Sequence, residues 1–164
     1  MFDTEYKKQL PALTIRQHWA SLVVCGGKKF ETRSWPPPVS LVGGRIAIHA
    51  GKAPLPCDLN SEALVAIELG LGLPISEWHC LPRGAVIGTA IIAGAGIVIK
   101  QSTCLRRISV STPLLGSPAS KTIELNAAEY HFGDYDAGRW LWELSGVQPI
   151  TPPIRALGQQ RIWH

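Results

Sequence analysis

The sequence predicts an α+β protein: a compact, partly closed sheet of mostly antiparallel strands with helices packed beside it. Three observations predict this class. Strand-like segments dominate the chain, only two segments have the pattern of a helix, and glycines interrupt the strands where a small barrel would bend. With 164 residues, of which 46% are hydrophobic and 17% charged, the chain suffices for one domain with a real core. We therefore expect a single domain over residues 1–164.

The first half of the chain alternates short strands and helices. "TIRQHWASLVVCGG" predicts a short helix, because Trp19, Leu22 and Val23 recur at helical spacing before a Gly-Gly pair. "KKFETRSW" alternates like a strand that three prolines end, and "GGRIAIHAGK" predicts a second strand bounded by glycines. "DLNSEALVAIELGLGLP" predicts a longer helix that is capped near Asn60 or Ser61.

The second half of the chain is richer in strand patterns. "RGAVIGTAIIAGAGIVIK" is a β-branched run with glycines, which favours a bent strand over a helix. We expect a loop-rich, basic connection around residues 97–125, with "SVSTPLLGSPAS" as its most loop-like part. "GRWLWELSGVQPI" predicts a further strand, and Trp140 and Trp142 on one face of it favour burial in the core. His131 is interpreted as an ordinary histidine and Asp134 as a turn residue beside glycine.

Positive charge is concentrated near the N-terminus. Residues 1–52 contain eight Lys and Arg against three Asp and Glu, whereas residues 53–164 contain eight against nine. Such asymmetry favours a phosphate or polyanion as partner. A solvated basic face explains the charge alone equally well.

No pattern in the sequence predicts a membrane span, a metal site or a cofactor. A run of about 18 apolar residues is missing, and the N-terminal segment carries acids and lacks the apolar core of a signal peptide. Cys25, Cys57, Cys80 and Cys104 have no C-x-x-C spacing, so we expect reduced cysteines rather than zinc ligands. We expect a cytoplasmic protein, and the oligomeric state stays open.

The densest group of chemistry-bearing residues is "GGKKFETRSWPP" at 26–37. In an extended strand Glu31 and Arg33 share one face with Lys29 and Trp35. Phe30 points the other way and is expected in the core. The Arg33 guanidinium, oriented by Glu31, suits a phosphate or a base edge, and Trp35 offers a surface for stacking. The alternative is a surface ion pair of little energetic value.

The stretch "LTIRQHWASLVVCGGKKFETRSW" resembles the opening of the ASCH domain family in the PUA-like superfamily. That family has an S-I-R-Q-P-W-type lead followed by G-x-K-x-x-E-x-R, and this chain supplies Gly26, Lys28, Glu31 and Arg33 at that spacing. Further similar blocks are "IAIHAGK" at 46–52, "LPRGAVIGTA" at 81–90, "FGDYDAGRWLWEL" at 132–144 and the closing "ALGQQRIW".

The resemblance implies a PUA-like β-barrel, or pseudo-barrel, with flanking helices and a cleft whose floor holds the lysine and glutamate of the motif. Members of the family are linked to RNA or other nucleic-acid binding, some to ribonuclease activity, and small relatives to amide hydrolysis of N4-acetylcytidine. Matching positions make Lys28, Glu31 and Arg33 the cleft candidates. We add residues from the other blocks and from the end of the strand, which are Arg16, Trp35, His49 and Lys52.

Two departures from the family pattern matter. His18 stands where the family usually has proline, which removes a favoured residue of a first helical turn. The deacetylating relatives carry threonine, their presumed nucleophile, at the position of Glu31. Thr32 and Ser34 are nearby hydroxyls, but strand alternation places both on the face opposite Glu31.

Two functions fit these residues. The first is a domain that binds RNA and recognises a nucleotide or a modified base in a cleft lined by Lys, Glu and Arg. The alternative is a small hydrolase, like an N4-acylcytidine amidohydrolase or a ribonuclease, in which Lys28 or His49 moves protons and Glu31 positions water. A third, less specific reading is a partner-binding adaptor with a vestigial cleft. The replacement of threonine by Glu31 favours binding over the deacetylase mechanism.

Overall fold

The computed structural model describes residues 9–56, 58–102, 106–112 and 120–164. In these ranges the chain forms strands, two α-helices and short 3-10 turns. The strands are β1 Ala12–Ile15, β2 Phe30–Arg33, β3 Arg45–Ala50, β4 Ala85–Ser102, β5 Arg107–Ser111, β6 Ser120–Glu124, β7 Trp140–Arg155 and β8 Ile162–Trp163. The helices are α1 Trp19–Val24 and α2 Ser61–Leu71, and the 3-10 turns are Val39–Leu41, Ile75–Cys80 and Glu129–His131.

The described strands form one mixed sheet in the order β2-β7-β4-β3-β1-β8, with β5 paired to the far part of β4 and β6 paired to β5. Strands β1 and β3 are parallel, and the other pairs are antiparallel. The α+β class is therefore confirmed. The predicted barrel is not: in the described ranges the sheet does not close. Its terminal strands, β2 and β8, are four and two residues long, and each pairs with one neighbour.

The glycine-rich run forms the long strand β4, as predicted. Its pairing with β7 shifts register at three places, next to Gly88, near Ala90 and before Gly94. Such bulges bend a strand and increase its twist. At Gly88 the bend brings β7 so close that an added Cβ would lie 2.9 Å from the carbonyl oxygen of Gln148.

The segment around residues 97–125 contains more regular structure than the loop-rich connection predicted from the sequence. The end of β4 continues into it, and β5 and β6 form an antiparallel pair on that end of β4. The part of "SVSTPLLGSPAS" that precedes Pro113 belongs largely to β5, and residues 103–105 and 113–119 lie outside the described residues.

Both predicted helices are present. Helix α1 buries Ala20, Leu22 and Val23 and ends before the Gly-Gly pair. Helix α2 begins at the predicted cap: the Asn60 side chain accepts a hydrogen bond from the Ala63 amide at 2.8 Å. The helix ends where Gly72 adopts a φ of 62°, a left-handed conformation that suits glycine.

The main core lies between α1 and the central strands and contains Leu13, Ile46, Ile48 and Trp142. Trp142 is fully buried and Trp140 is half-buried, which confirms the prediction of a core role for Trp142. A second cluster supports the β5 end of the sheet, and a third packs α2 against α1. No helix in the described part of the chain is long and apolar enough to cross a membrane.

Candidate functional site

A cavity of about 550 Å³ opens beside strand β2 and the start of α1. This volume lies in the range of pockets that hold small ligands. The loop that follows the 3-10 turn at Glu129–His131 closes one side of it. Its lining residues are Thr14, Ile15, Arg16, Trp19, Lys28, Glu31, Thr32, Arg33, Ser34, Trp35, His131, Phe132, Gly133, Asp134 and Arg139.

Three motif residues meet at the floor of this cavity. Glu31 Oε2 lies 3.6 Å from Lys28 Nζ, and Glu31 Oε1 lies 2.9 Å from Arg33 Nε. The Arg33 contact is an ion pair without hydrogen-bond alignment at Nε. The side chain of Lys28 is 1% exposed, that of Glu31 10% and that of Arg33 23%. Exposure to solvent therefore increases from the buried Lys28 ammonium through Glu31 to the partly exposed Arg33 guanidinium.

Lys28 is held by backbone carbonyls as well as by Glu31. Its ammonium donates to the carbonyl oxygen of Phe30 and, at 2.6 Å, to that of Phe132. With Glu31, these acceptors match the three donors of an ammonium group. Lys28 thus ties strand β2 to the loop on the other side of the cavity.

A second buried carboxylate, Glu129, fixes the start of β2. It accepts hydrogen bonds from the amides of Lys29 at 2.7 Å and Phe30 at 3.2 Å. The Tyr135 hydroxyl donates to the Glu129 carbonyl and carboxylate, at 3.1 Å and 3.2 Å. Burial, followed by the negative charge of Glu129, raises the pKa of Tyr135, so its hydroxyl stays protonated. This support for the motif was not predicted from the sequence.

The rim of the cavity carries further charges. Arg33 Nη2 donates to the Thr14 carbonyl at 2.8 Å, which aims the guanidinium across the cavity mouth. Arg139 Nε lies 3.2 Å from Asp134 Oδ2, and the exposed Arg16 donates to a backbone carbonyl at 3.3 Å. The lining contains more Lys and Arg than Asp and Glu, so the cavity has an excess of positive charge.

Trp35 lies at the end of the cavity with its ring half-buried. Its ring meets that of Trp142 edge to face at 4.8 Å, and the Trp142 indole donates to the Trp35 carbonyl at 3.3 Å. The core therefore fixes the orientation of Trp35, while part of its surface faces the cavity.

His49 and Lys52 do not line this cavity, which corrects their predicted place beside the motif. His49 is buried, because β3 is a central strand with both faces covered and the C-terminal segment packs over the imidazole. Its ring nitrogens lie 3.2 Å from Thr14 Oγ1 and 3.2 Å from the Ala156 carbonyl oxygen. Burial lowers the pKa of His49. Lys52 is exposed and packs its methylene groups over Gly84.

Several lining residues were missed or assigned to the wrong face. Thr32 and Ser34 also line the cavity. Thr32 lies within β2, where its hydroxyl accepts a hydrogen bond from the Asp134 amide at 3.1 Å, and Ser34 follows the end of β2, where the chain bends and strict alternation stops. Asp134 shapes its turn as predicted, accepting from the Asp136 amide at 3.2 Å, and it also pairs with Arg139 in the cavity wall. The sequence predicts an ordinary histidine at His131, and spacing along the chain gives no indication that it lies opposite β2.

In the described ranges, no group of three His, Cys, Asp or Glu side chains could hold a metal ion. Cys25 and Cys80 are free thiols at the surface. Cys57 and Cys104 lie outside the described residues.

The protein thus combines a mixed sheet with a polar cavity, and the residues of the short motif lie where the edge strand β2 lines that cavity. The chain matches the model of the ASCH domain over residues 13–110, which is more than half of its length. It therefore belongs to the ASCH domain family, and the resemblance predicted from the sequence is confirmed. The family points in general to an RNA-binding type of function. No curated protein matches the chain.

Proposed function

We propose that this protein binds RNA and receives one nucleotide, or one modified base, in the cavity beside β2. The observation that carries this proposal is the position of the Lys28–Glu31–Arg33 group on the floor of a cavity of about 550 Å³. An ion pair that only solubilised the surface would lie in open water, whereas this one lines a concave site.

The chemistry of the cavity suits a nucleotide at three points. A carboxylate has about four acceptor positions, and Lys28 and Arg33 approach Glu31 from two directions, which leaves lone pairs for an amino group on a base edge. Arg16 and Arg139 at the rim meet phosphate, which guanidinium groups bind through paired N–H donors. Trp35 adds a ring surface on which a base stacks.

The test is to measure the binding of a short single-stranded RNA by fluorescence anisotropy at several salt concentrations. We expect affinity to fall as salt rises, because phosphate contacts release counterions. Replacement of Arg16 by Ala should weaken binding and reduce the salt slope by about 0.7, the value for one phosphate contact on a single strand. Lys52→Ala is the matched control, because Lys52 is an exposed cation outside the cavity. Undetectable binding at low salt, or equal losses in the two variants, would contradict the proposal.

A hydrolase that uses the same cavity is the second candidate. The hydroxyls of Thr32 and Ser34 and the imidazole of His131 line the cavity that also holds Glu31, which favours this candidate. The environment of Lys28 opposes its use as a base, because its three donors already face acceptors. Incubation with N4-acetylcytidine and with RNA, followed by product analysis, tests the candidate. Product that still forms with Glu31→Gln and Thr32→Val would exclude this cavity as the active site.

A further inference from the structure

The candidate cavity continues past Trp35 into two further hollows, which together we call the Trp35 groove. The nearer hollow has a volume of about 380 Å³ and shares Trp35 and three other residues with the candidate cavity. The farther hollow, of about 490 Å³, shares Trp35 and Arg161 with the nearer one. The groove is lined by Thr14, Arg33, Ser34, Trp35, Gln159, Gln160 and Arg161, and then by Pro36, Pro37, Pro38, Val39 and Ile162.

Arg161 is the charged residue at the centre of the groove. Its guanidinium carbon lies 5.9 Å from the centroid of the Trp35 ring. The side chain is exposed, and no carboxylate in the described part of the chain forms an ion pair with it. Strand β8 begins at the next residue and pairs with β1, so the backbone beside Arg161 is anchored to the sheet. The groove therefore presents a cation that no acidic side chain of the described residues neutralises.

The composition of the groove indicates what it would bind. Its described lining residues include arginines, glutamine amides, a tryptophan and prolines, and no Asp or Glu. Arginine provides charge for a phosphate, and an aromatic ring with a guanidinium over it provides flat surfaces for a base. A single-stranded nucleic acid offers both groups in alternation. The candidate cavity and the two hollows all share Trp35, so a single strand can run through the three of them in order.

We propose that the Trp35 groove is a second subsite, which binds the nucleotides that flank the one held in the cavity. This inference rests on the proposed function and extends it. Arg161 contacts the phosphate that follows the cavity, and the neighbouring base stacks on the Trp35–Arg161 pair. Each hollow has about the volume that a small ligand needs, so the preferred ligand is a single-stranded RNA segment of about three nucleotides rather than a free nucleoside.

A length series tests this inference. Binding of a nucleoside monophosphate and of RNA oligomers of two, three and six nucleotides is measured for the intact chain and for Arg161→Ala. Arg155→Ala is the control, because it removes an equal charge from an exposed residue that lines none of the hollows. We expect affinity to rise up to about three nucleotides and then to level off. We expect Arg161→Ala to lower trinucleotide affinity about fivefold to tenfold, while mononucleotide affinity stays unchanged. Arg161→Lys should restore the salt slope but only part of the affinity, because an ammonium stacks poorly.

The outcomes separate this inference from the proposed function. Equal affinity for the mononucleotide and the trinucleotide would overturn the second subsite and leave the cavity proposal standing. A rise with length that Arg161→Ala and Arg155→Ala lower equally would also overturn it. Failure of every oligomer to bind at low salt would overturn the proposed function together with the inference.

Discussion

Glu31 is a carboxylate that both stabilises the fold and faces the candidate cavity. Its partner Lys28 is buried, so the loss of the Glu31 charge leaves an ammonium in the protein interior that no other carboxylate of the described residues pairs with. Removing one partner of a buried ion pair costs far more than removing one partner of an exposed pair. Glu31 therefore belongs to the structural support of β2 as well as to the proposed binding site.

We predict that Glu31→Gln lowers the free energy of unfolding by about 2–3 kcal/mol. The measurement is urea denaturation followed by circular dichroism. Glu143→Gln is the control, because Glu143 pairs with Lys121 at 3.4 Å while the two side chains are 43% and 52% exposed. That substitution should cost less than about 1 kcal/mol. Similar losses for the two variants would show that the Glu31 pair behaves as an ordinary surface ion pair.

His18 makes stability depend on pH. The imidazole is fully buried between Trp19 and Trp78, and neither ring nitrogen has a hydrogen-bond partner in the described part of the chain. Burial, and then the charge of Arg16, lowers the pKa of His18 from 6.5 to about 4. Between these two pH values the unfolded chain binds a proton that the folded chain does not bind. The contribution of neutral His18 is therefore complete above pH 6.5 and is lost as pH falls toward 4.

We predict that the intact protein loses about 2–3 kcal/mol more stability than His18→Phe when pH is lowered from about 7 to about 4.5. Phenylalanine keeps an aromatic ring between the two tryptophans and cannot titrate. His49, whose pKa burial also lowers, and the carboxylates titrate in both proteins, so the difference isolates His18. Denaturant titrations across this pH range provide the measurement. Parallel stability profiles would contradict the assignment.

The sequence predicted the floor of the candidate site better than its walls. Glu31 and Arg33 could be named because strand alternation puts them on one face, and Lys28 because it stands at the matching position of the family motif. Residues of the opposite wall, such as His131, approach β2 only through the tertiary fold, for which local spacing carries no information. His49 was misplaced because strand alternation gives the face of a residue but does not say what covers that face.

At the scale of elements, strand β4 depends on glycine at the point where β5 crosses close to it. A Cβ added at Gly96 would lie 2.2 Å from Val110 Cγ1 and 2.7 Å from the Ser111 carbonyl oxygen. At Gly94, two residues earlier in the same strand, the Glu143 carboxylate, at 3.5 Å, is the one group of the described residues that an added Cβ would meet. Close approach of a neighbouring backbone is a recurrent reason for glycine within a strand.

We predict that Gly96→Ala lowers the free energy of unfolding by about 1–3 kcal/mol, because the methyl group forces β5 away from β4. Gly94→Ala should be neutral or slightly stabilising, since alanine restricts the unfolded chain and meets no clash. Thermal denaturation of the two variants provides the comparison. If Gly94→Ala proved as costly as Gly96→Ala, the loss would reflect strand bending rather than close packing.

The elements themselves were largely predictable, whereas the closure of the sheet was not. Local patterns placed both helices, the Asn60 cap and the long glycine-rich strand, because capping and periodicity act within a few residues. The pairing of β5 and β6 on the end of β4 depends on contacts between distant segments, so local patterns predict a loop in this polar, basic stretch. Closure of the sheet into the barrel that the resemblance implies likewise depends on how the terminal strands β2 and β8 meet, which local patterns do not determine.

At the scale of the whole molecule, a buried scaffold supports a polar cavity between β2 and the end of β1. Strand β2 carries the motif, β7 pairs with β2 and buries Trp142 beneath it, and the loop after Glu129–His131 supplies the opposite wall. Positive charge is in excess in the part of the chain that contributes the motif. We infer that charge draws an RNA strand toward the cavity and that the cavity then selects a nucleotide.

The central claim is that RNA occupies the cavity beside β2, and its most direct test is an NMR titration of the ¹⁵N-labelled protein with a short single-stranded RNA. We predict shifts at the amides of Thr32, Arg33 and Gly133 and at the Trp35 indole, and none along α2. The shifts should saturate together with binding measured by anisotropy. Shifts confined to β5 and β6, with the cavity residues unchanged, would contradict the claim.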